Sequence, residues 1–374
     1  MKKHINYYLL FVAIILIVFG ILFLSTLSAP ASMRIFGNTN YYLMHQLYLL
    51  GFGIILAVVA YKFPLNYLKK FAPLFFFANM VLLMIVFLPE IGLKLGGARR
   101  WINTGIGTFQ PSEFLKITAT LYLSAWISKR MSEKNKGGWI SIAKKGYHNI
   151  KNIFIPFILF LGLISVILIL QPHISALIII GMILVLVYFF SGTPLWHTFS
   201  ILLGGAIAAF LLIKYEPYRW DRWTIFLHPE TDPLGKGLQT KQSLIAIGSG
   251  GFFGKGWGMS NQKFGFLPQA MSDSIFAILG EETGIIGCLL LVILFLFFLW
   301  FGIKVAKSSN DKFCQLVALG ITFWITIQAF LNIAANVGMA PMTGIPLPFF
   351  SYGGSHLITE FIGLGILLNI SKNS

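Results

Sequence analysis

The sequence predicts an all-α integral membrane protein, a single polytopic domain over residues 1–374 with ten transmembrane helices and a long extracytoplasmic loop between the seventh and eighth. Three observations carry that prediction. Of the 374 residues, 57% are apolar and 11% charged, with a mean hydropathy of +0.80, whereas soluble domains run about 45–50% apolar and about 25% charged. Ten stretches are long and apolar enough to cross a bilayer core of about 30 Å. Basic residues gather on alternate connections, which is how a membrane protein's orientation is written.

The stretches run at approximately 9–28, 44–61, 72–89, 113–128, 153–170, 174–191, 195–213, 283–303, 314–334 and 355–370. Hydrocarbon offers no partner to backbone polar groups, so apolar runs of this length are helices there. The first follows Lys2 and Lys3 and precedes a small-residue stretch at 28–32 that resembles a signal-peptide cleavage region. A signal h-region spans about 7–15 residues. Nothing charged lies between Lys3 and Arg34, so the run is taken as a retained first helix. Cys288 and Cys314 both lie in apolar runs, which excludes a disulfide framework.

With the N-terminus inside, the cytoplasmic segments carry 16 Lys and Arg residues, and the short outer segments carry five: Arg34, Lys94, Arg99, Arg100 and Lys116. That asymmetry predicts a multi-pass protein of the cytoplasmic (inner) membrane with both termini in the cytoplasm. The long segment 214–282 falls on the outer face with seven basic and seven acidic residues. A loop of that length in an otherwise tightly looped bundle is where function is expected. The formal charge of +16 suggests nucleic acid at first sight. Once placed, it is mostly topology signal, since the cytoplasmic segments alone are net +14. No nucleic-acid partner is expected.

Three outer stretches hold the candidate residues. In 96–116, Arg99 and Arg100 stand beside Trp101, and guanidinium offers planar bidentate donors to a phosphate or diphosphate. The plainer alternative is an interfacial Trp/Arg anchor. Pro111 then marks a helix start, and Glu113 and Lys116, at i and i+3, make an ion pair or a substrate contact. In 239–284, six glycines between 248 and 258 miss the GxxxxGK[ST] phosphate-loop pattern. They suit a re-entrant turn in which backbone passes closely between helices. Lys255 and Lys263 nearby are available to an anion. Asp273 follows Ser272, expected as an N-cap that would place Asp273 in the first turn of a helix with Glu281 on its face. The alternative for Asp273 is a general base or a metal ligand at the membrane surface. In 336–356, three prolines and four glycines forbid a lipid-facing helix, so the stretch should fold against the bundle or line a cavity. Glu360 then falls inside the last helix, where an acid is a functional candidate. Metalloprotease, serine-hydrolase and zinc motifs are absent from the sequence.

Three blocks, GGARRWI…QPSEFLK, KQSLIAIGSGGFFGKGWGMSNQKFGFLP…SDSIFAILGEETG and NVGMAPMTGIPLPFFSYGGS, run in that order along nearly the whole chain. In them the chain resembles the SEDS family, named for shape, elongation, division and sporulation, and its wording is nearer the FtsW division branch than RodA. The resemblance implies a peptidoglycan glycosyltransferase that polymerises lipid II at the outer membrane face. It also implies a class B penicillin-binding transpeptidase as partner, together with other division or elongation proteins and membrane lipid. Asp273 matches the family's proposed catalytic aspartate and Trp101 its functional tryptophan. Arg100, Lys116, Gln242, Lys255, Gln262 and Lys263 match further basic and polar positions, and Arg99, Glu113, Ser243, Ser351 and Glu360 complete the substrate-binding candidates. The chain departs from the family at Gln269, often Glu; at His173, often Asp; and at His356, where a second Ser is usual.

The implied reaction is an inverting displacement. An acceptor hydroxyl attacks the anomeric carbon of a polyprenyl diphosphate donor, Asp273 takes the proton, and the basic residues meet the diphosphate. A divalent cation, Mg or Mn, is the one cofactor this chemistry leaves room for, and the sequence names no ligands for it. A lipid II flippase and a recruiting scaffold are the competing classes. The first needs no base beside an acceptor hydroxyl, and the second needs no polar outer residues at all.

Overall fold

The computed structural model describes residues 5–95, 97–105, 107–134, 150–228, 232, 235 and 237–373. Lys2, Lys3, Lys136, Lys144, Lys145, Glu230 and Lys236, counted in the charge argument, lie outside them. The first helix, α1, spans Tyr7–Phe36. Asn6 opens it by accepting from the Leu9 N–H at 3.1 Å, and Gly37, at φ 67°, closes it. Helices α2 (Tyr41–Lys62) and α3 (Leu65–Ile85) follow. Helix α4 (Pro111–Lys134) begins at a proline, whose missing N–H costs nothing at that position. Then come α5 (Ile155–Leu170), entered through a π turn at Ile150–Phe154, α6 (Ile174–Phe190), α7 (Leu195–Lys214), α8 (Pro217–Leu227) and α9 (Leu238–Gly250). The chain ends with α10 (Ile275–Ser308), α11 (Lys312–Asn336) and α12 (Gly354–Asn373).

Among the described residues, eight helices are long and apolar enough to span a membrane: α1, α2, α3, α5 with its π turn, α7, α10, α11 and α12. The expected fourth and sixth spans are helices too. However, α4 carries Glu113 and Lys116 near its start, and α6 has only 17 residues. The all-α expectation needs one correction. Strands β1 (Gly92–Leu95), β2 (Ala98–Asn103) and β3 (Thr108–Phe109) form an antiparallel sheet in which Trp101 lies opposite Leu93 and Ile102 opposite Phe109. Strands β1 and β3 have only four and two residues, and β2, Ala-Arg-Arg-Trp-Ile-Asn, does not alternate apolar with polar, so no strand period shows in the sequence.

Helices α11 and α12 form the centre, each with 78% of its apolar window buried, against 11% for α2 and α7. Small residues allow the close approaches. A Cβ on Gly365 would stand 2.3 Å from the Ala57 carbonyl oxygen of α2, and one on Gly20 of α1 would stand 2.4 Å from the Phe349 carbonyl oxygen. The stretch 337–353 folds against the bundle, with Ile345, Leu347, Phe349, Phe350 and Ser351 buried.

The segment expected as an outer loop, 214–282, contains α8, α9 and the start of α10. Helix α9 runs parallel to the opening of α10: Gln239 bonds Ser274, and Gly250 lies against Gly280. The chain then turns through Gly251–Gly258. At that level α10 is broken at Gly284 (φ 65°, ψ −164°), and the turn's Gly251 and Phe252 carbonyls accept from the Ile285 and Ile286 N–H groups at 3.0 and 3.3 Å. The break therefore leaves no donor stranded at these two residues.

Candidate functional site

Asp273 stands at the mouth of α10. Ser274, not Ser272, is the N-cap residue and the helix starts at Ile275, so Asp273 precedes the first turn, contrary to the expectation from Ser272. The reason is a turn that uses the same groups otherwise. The Ser272 and Ser274 N–H groups donate to the Gln269 carbonyl, with Gln269 itself at φ 54°, and the Ser274 hydroxyl donates to the Pro268 carbonyl. The Asp273 carboxylate is partly exposed. Ser272 Oγ donates to its Oδ1 at 2.8 Å and Gln239 Nε2 to its Oδ2 at 3.2 Å. Its main-chain carbonyl is held by two amides of α11, Asn332 and Asn336, each at 2.8 Å.

The stretch 337–353 forms the facing wall. The Ser351 hydroxyl accepts from the Leu347 N–H at 2.8 Å and donates to the Ser272 carbonyl, so Ser351 ties this stretch to the Asp273 turn. Asn332 Nδ2 donates to the Ile345 carbonyl at 2.7 Å and Gln328 Nε2 to the Pro346 carbonyl at 3.0 Å. Glu360, fully buried in α12, accepts from the Phe349 N–H at 2.8 Å through Oε2 and fixes Phe349 in a left-handed conformation at φ 64°. Glu360 Oε1 has no hydrogen-bond partner among the described residues.

Glu113 and Lys116 form the ion pair their spacing allows, at 2.7 Å and buried. Lys116 also donates to Gln328 Oε1 at 2.8 Å and lies 5.2 Å from the centroid of the Trp324 ring. Through Gln328 the pair is joined to the wall beside Asp273. Arg99 donates to the Phe87 carbonyl at 3.3 Å, and Arg100 donates to the carbonyls of Gln171 and Pro172, which clamps the sheet onto the α5–α6 turn. His173 follows in that turn. Burial, with Arg100 and Lys116 adding to it, pushes its imidazole down from 6.5 to about 3.

The other expected residues lie along α9 and the turn beyond it. Gln262 Nε2 donates to Gln242 Oε1 at 3.1 Å, and the buried Ser243 hydroxyl has no partner among the described residues. Lys255 pairs with Glu281 at 2.7 Å and Lys263 with Glu282 at 3.7 Å, so both stand beside carboxylates within the turn. The residues that sequence reasoning missed are Gln239, Gln328, Asn332 and Asn336. The signal was there for three of them: Gln328, Asn332 and Asn336 recur every fourth residue on one face of an apolar helix, where amides need partners. Among the described residues, no group of three or more His, Cys, Asp or Glu side chains is placed to hold an ion. No step is derived through a cation.

The model of the cell cycle protein family that groups FtsW, RodA and SpoVE matches residues 6–374. The chain belongs to the FtsW/RodA/SpoVE family. Members share its length as well as its sequence. The probable peptidoglycan glycosyltransferase FtsW of Coxiella burnetii is 36% identical over 359 residues, covering 95% of this chain and 93% of that protein. The stage V sporulation protein E of Bacillus subtilis is 35% identical, covering 98% and 96%. Among solved structures, a chain of a peptidoglycan synthase complex that coordinates polymerization and crosslinking superposes with a TM-score of 0.77 at 25% identity, covering 99% of this chain and 98% of that one. The rod shape determining protein RodA of Thermus thermophilus superposes at 0.71 with 24% identity, covering 99% and 97%. This FtsW/RodA/SpoVE protein is thus a multi-pass membrane protein with the fold of those structures.

Proposed function

We propose that this protein is a peptidoglycan glycosyltransferase of the FtsW division branch, transferring glycan from lipid II to an acceptor sugar hydroxyl at the outer face of the cytoplasmic membrane. The name of the Coxiella burnetii relative, probable peptidoglycan glycosyltransferase FtsW, supports the activity. The observation that carries the site is Asp273: a partly exposed carboxylate whose main chain is held by Asn332 and Asn336 and whose oxygens are oriented by Ser272 and Gln239. The attacking hydroxyl loses its proton to Asp273, a new bond forms at the anomeric carbon, and the bond to the diphosphate oxygen breaks, so the polyprenyl diphosphate leaves with the electron pair. A single base acting on the nucleophile fits inversion, by analogy with single-displacement glycosidases. Arg99, whose guanidinium has five donors and gives one to Phe87, supplies donors for the phosphate oxygens in this reading.

In this reading the eight long helices together with α4 and α6 make ten spans, both termini are cytoplasmic, and the partner is a class B penicillin-binding transpeptidase. The test uses the full-length protein in liposomes with its cognate transpeptidase and labelled lipid II. The parent makes glycan strands and Asp273→Asn makes none. Strand synthesis by Asp273→Asn at the parental rate overturns the role of Asp273. Transbilayer movement of lipid II without polymerisation by the parent overturns the activity.

A further inference from the structure

The turn after α9 carries a set of exposed apolar side chains: Phe252 and Phe253, 71% and 82% exposed, with Met259, Phe264 and Phe266 beyond them. Aromatic rings this open to water are costly on an extracytoplasmic loop. Three contacts with α1 give the depth at which they lie. Trp257 packs on Phe19 and Phe23, with ring centroids 5.7 and 5.6 Å apart; Gly258 lies beside Thr26; and Gly265 lies beside Arg34. Helix α1 has 30 residues, about 45 Å at 1.5 Å per residue. Phe19 is the thirteenth of them, so it sits about 18 Å from one end and about 25 Å from the other. A bilayer core of about 30 Å centred on α1 therefore contains Phe19, Phe23 and Thr26.

Helix α10 gives the direction. The tip of the turn meets the broken residue Gly284, about ten residues and about 15 Å along α10 from Asp273 toward its far end. Helix α9 thus descends from the level of Asp273, the chain reverses at Gly251–Gly258, and the residues up to Gly265 climb back along α1. The charges at the tip behave as membrane depth requires. Glu281 and Glu282 are buried, each faces a lysine, and the Gly258, Ser260, Asn261 and Gln262 N–H groups close on their carboxylates.

We infer that residues 251–259 are a re-entrant wedge at acyl-chain depth, and that Phe252, Phe253 and Met259 form a contact surface for the hydrocarbon chains of membrane lipid, not an aqueous loop, whereas Phe264 and Phe266 flank Gly265 at the level of Arg34. The inference rests on the membrane architecture of α1 and α10 and is independent of the reaction proposed above.

Spin-label depth measurement tests it on the full-length protein in phospholipid vesicles. Single cysteines replace Phe253 or Met259 in a background with Cys288→Ala and Cys314→Ala. Val18→Cys, exposed on α1 next to Phe19, serves as the acyl-depth reference, and Thr39→Cys, exposed between α1 and α2, as the aqueous one. Labels at 253 and 259 are expected to collide with oxygen in preference to a soluble nickel chelate, as at 18. Nickel-dominated collision matching that at 39, at either site, overturns the inference. Strand synthesis is not the readout, so failure of the wedge and failure of the enzymatic assignment are told apart.

Discussion

Lys116 Nζ lies 2.7 Å from Glu113 Oε2, one turn back on α4, and both side chains are buried against α11. A buried ion pair is costly to break from one side because the survivor keeps its desolvated charge. Glu113→Gln or Lys116→Met alone should therefore destabilise by about 3–5 kcal/mol. The double variant Glu113→Gln/Lys116→Met should lose less than the sum of the two. Melting of the detergent-solubilised single and double variants checks this, and additive losses would show that the two side chains act independently.

The amides of α11 that hold the Asp273 carbonyl give a graded prediction. Asn336→Ala leaves Asn332 in place, so the turn keeps one of its two anchors. Each lost hydrogen bond is worth about 1 kcal/mol, which corresponds to about a fivefold fall in strand synthesis if the full amount is felt at the transition state. Replacing both amides should lower the rate further while lipid II binding is retained. Rate and binding measured side by side separate the positioning of Asp273 from the loss of substrate contacts.

Gly254 illustrates the close passage of backbone through the α10 break. It has φ +80°, and a Cβ there would stand 2.1 Å from the Glu282 carbonyl oxygen. Gly254→Ala meets main chain that cannot swing aside, and a cost of about 1–3 kcal/mol is expected. Gly248→Ala, where nothing lies within 4 Å, is the matched control and should melt like the parent.

His173 makes stability depend on pH in a known direction. Its imidazole is held at about 3 in the folded protein against an ordinary 6.5. Between these values the unfolded chain takes up a proton that the folded one refuses, so stability falls as pH drops from about 6.5 toward 3. His173→Asn should have a shallower fall in melting temperature over that range. An unchanged slope would place the pH response elsewhere.

The helices were legible because a bilayer demands about 20 apolar residues per crossing, and composition alone records that demand. The sheet at 92–109 was not, since its strands show no period. The Glu113–Lys116 pair was open to view at i, i+3, yet nothing in its spacing said that Gln328 would join it to the wall beside Asp273. Lys255 and Lys263 looked available to an anion, and their pairing with Glu281 and Glu282 depends on how the chain reverses after α9.

The sequence by itself determined the class, the helix count to be expected and the motif around Asp273, because hydropathy and local spacing are properties of neighbouring residues. Only the tertiary structure decided that α11 supplies the groups holding Asp273, that Ser351 joins the 337–353 stretch to it, and that the glycine-rich turn packs against α1 at the level of Phe19. Those contacts join residues tens to hundreds of positions apart, and they form because buried carbonyls and carboxylates must find donors wherever the packed helices bring them.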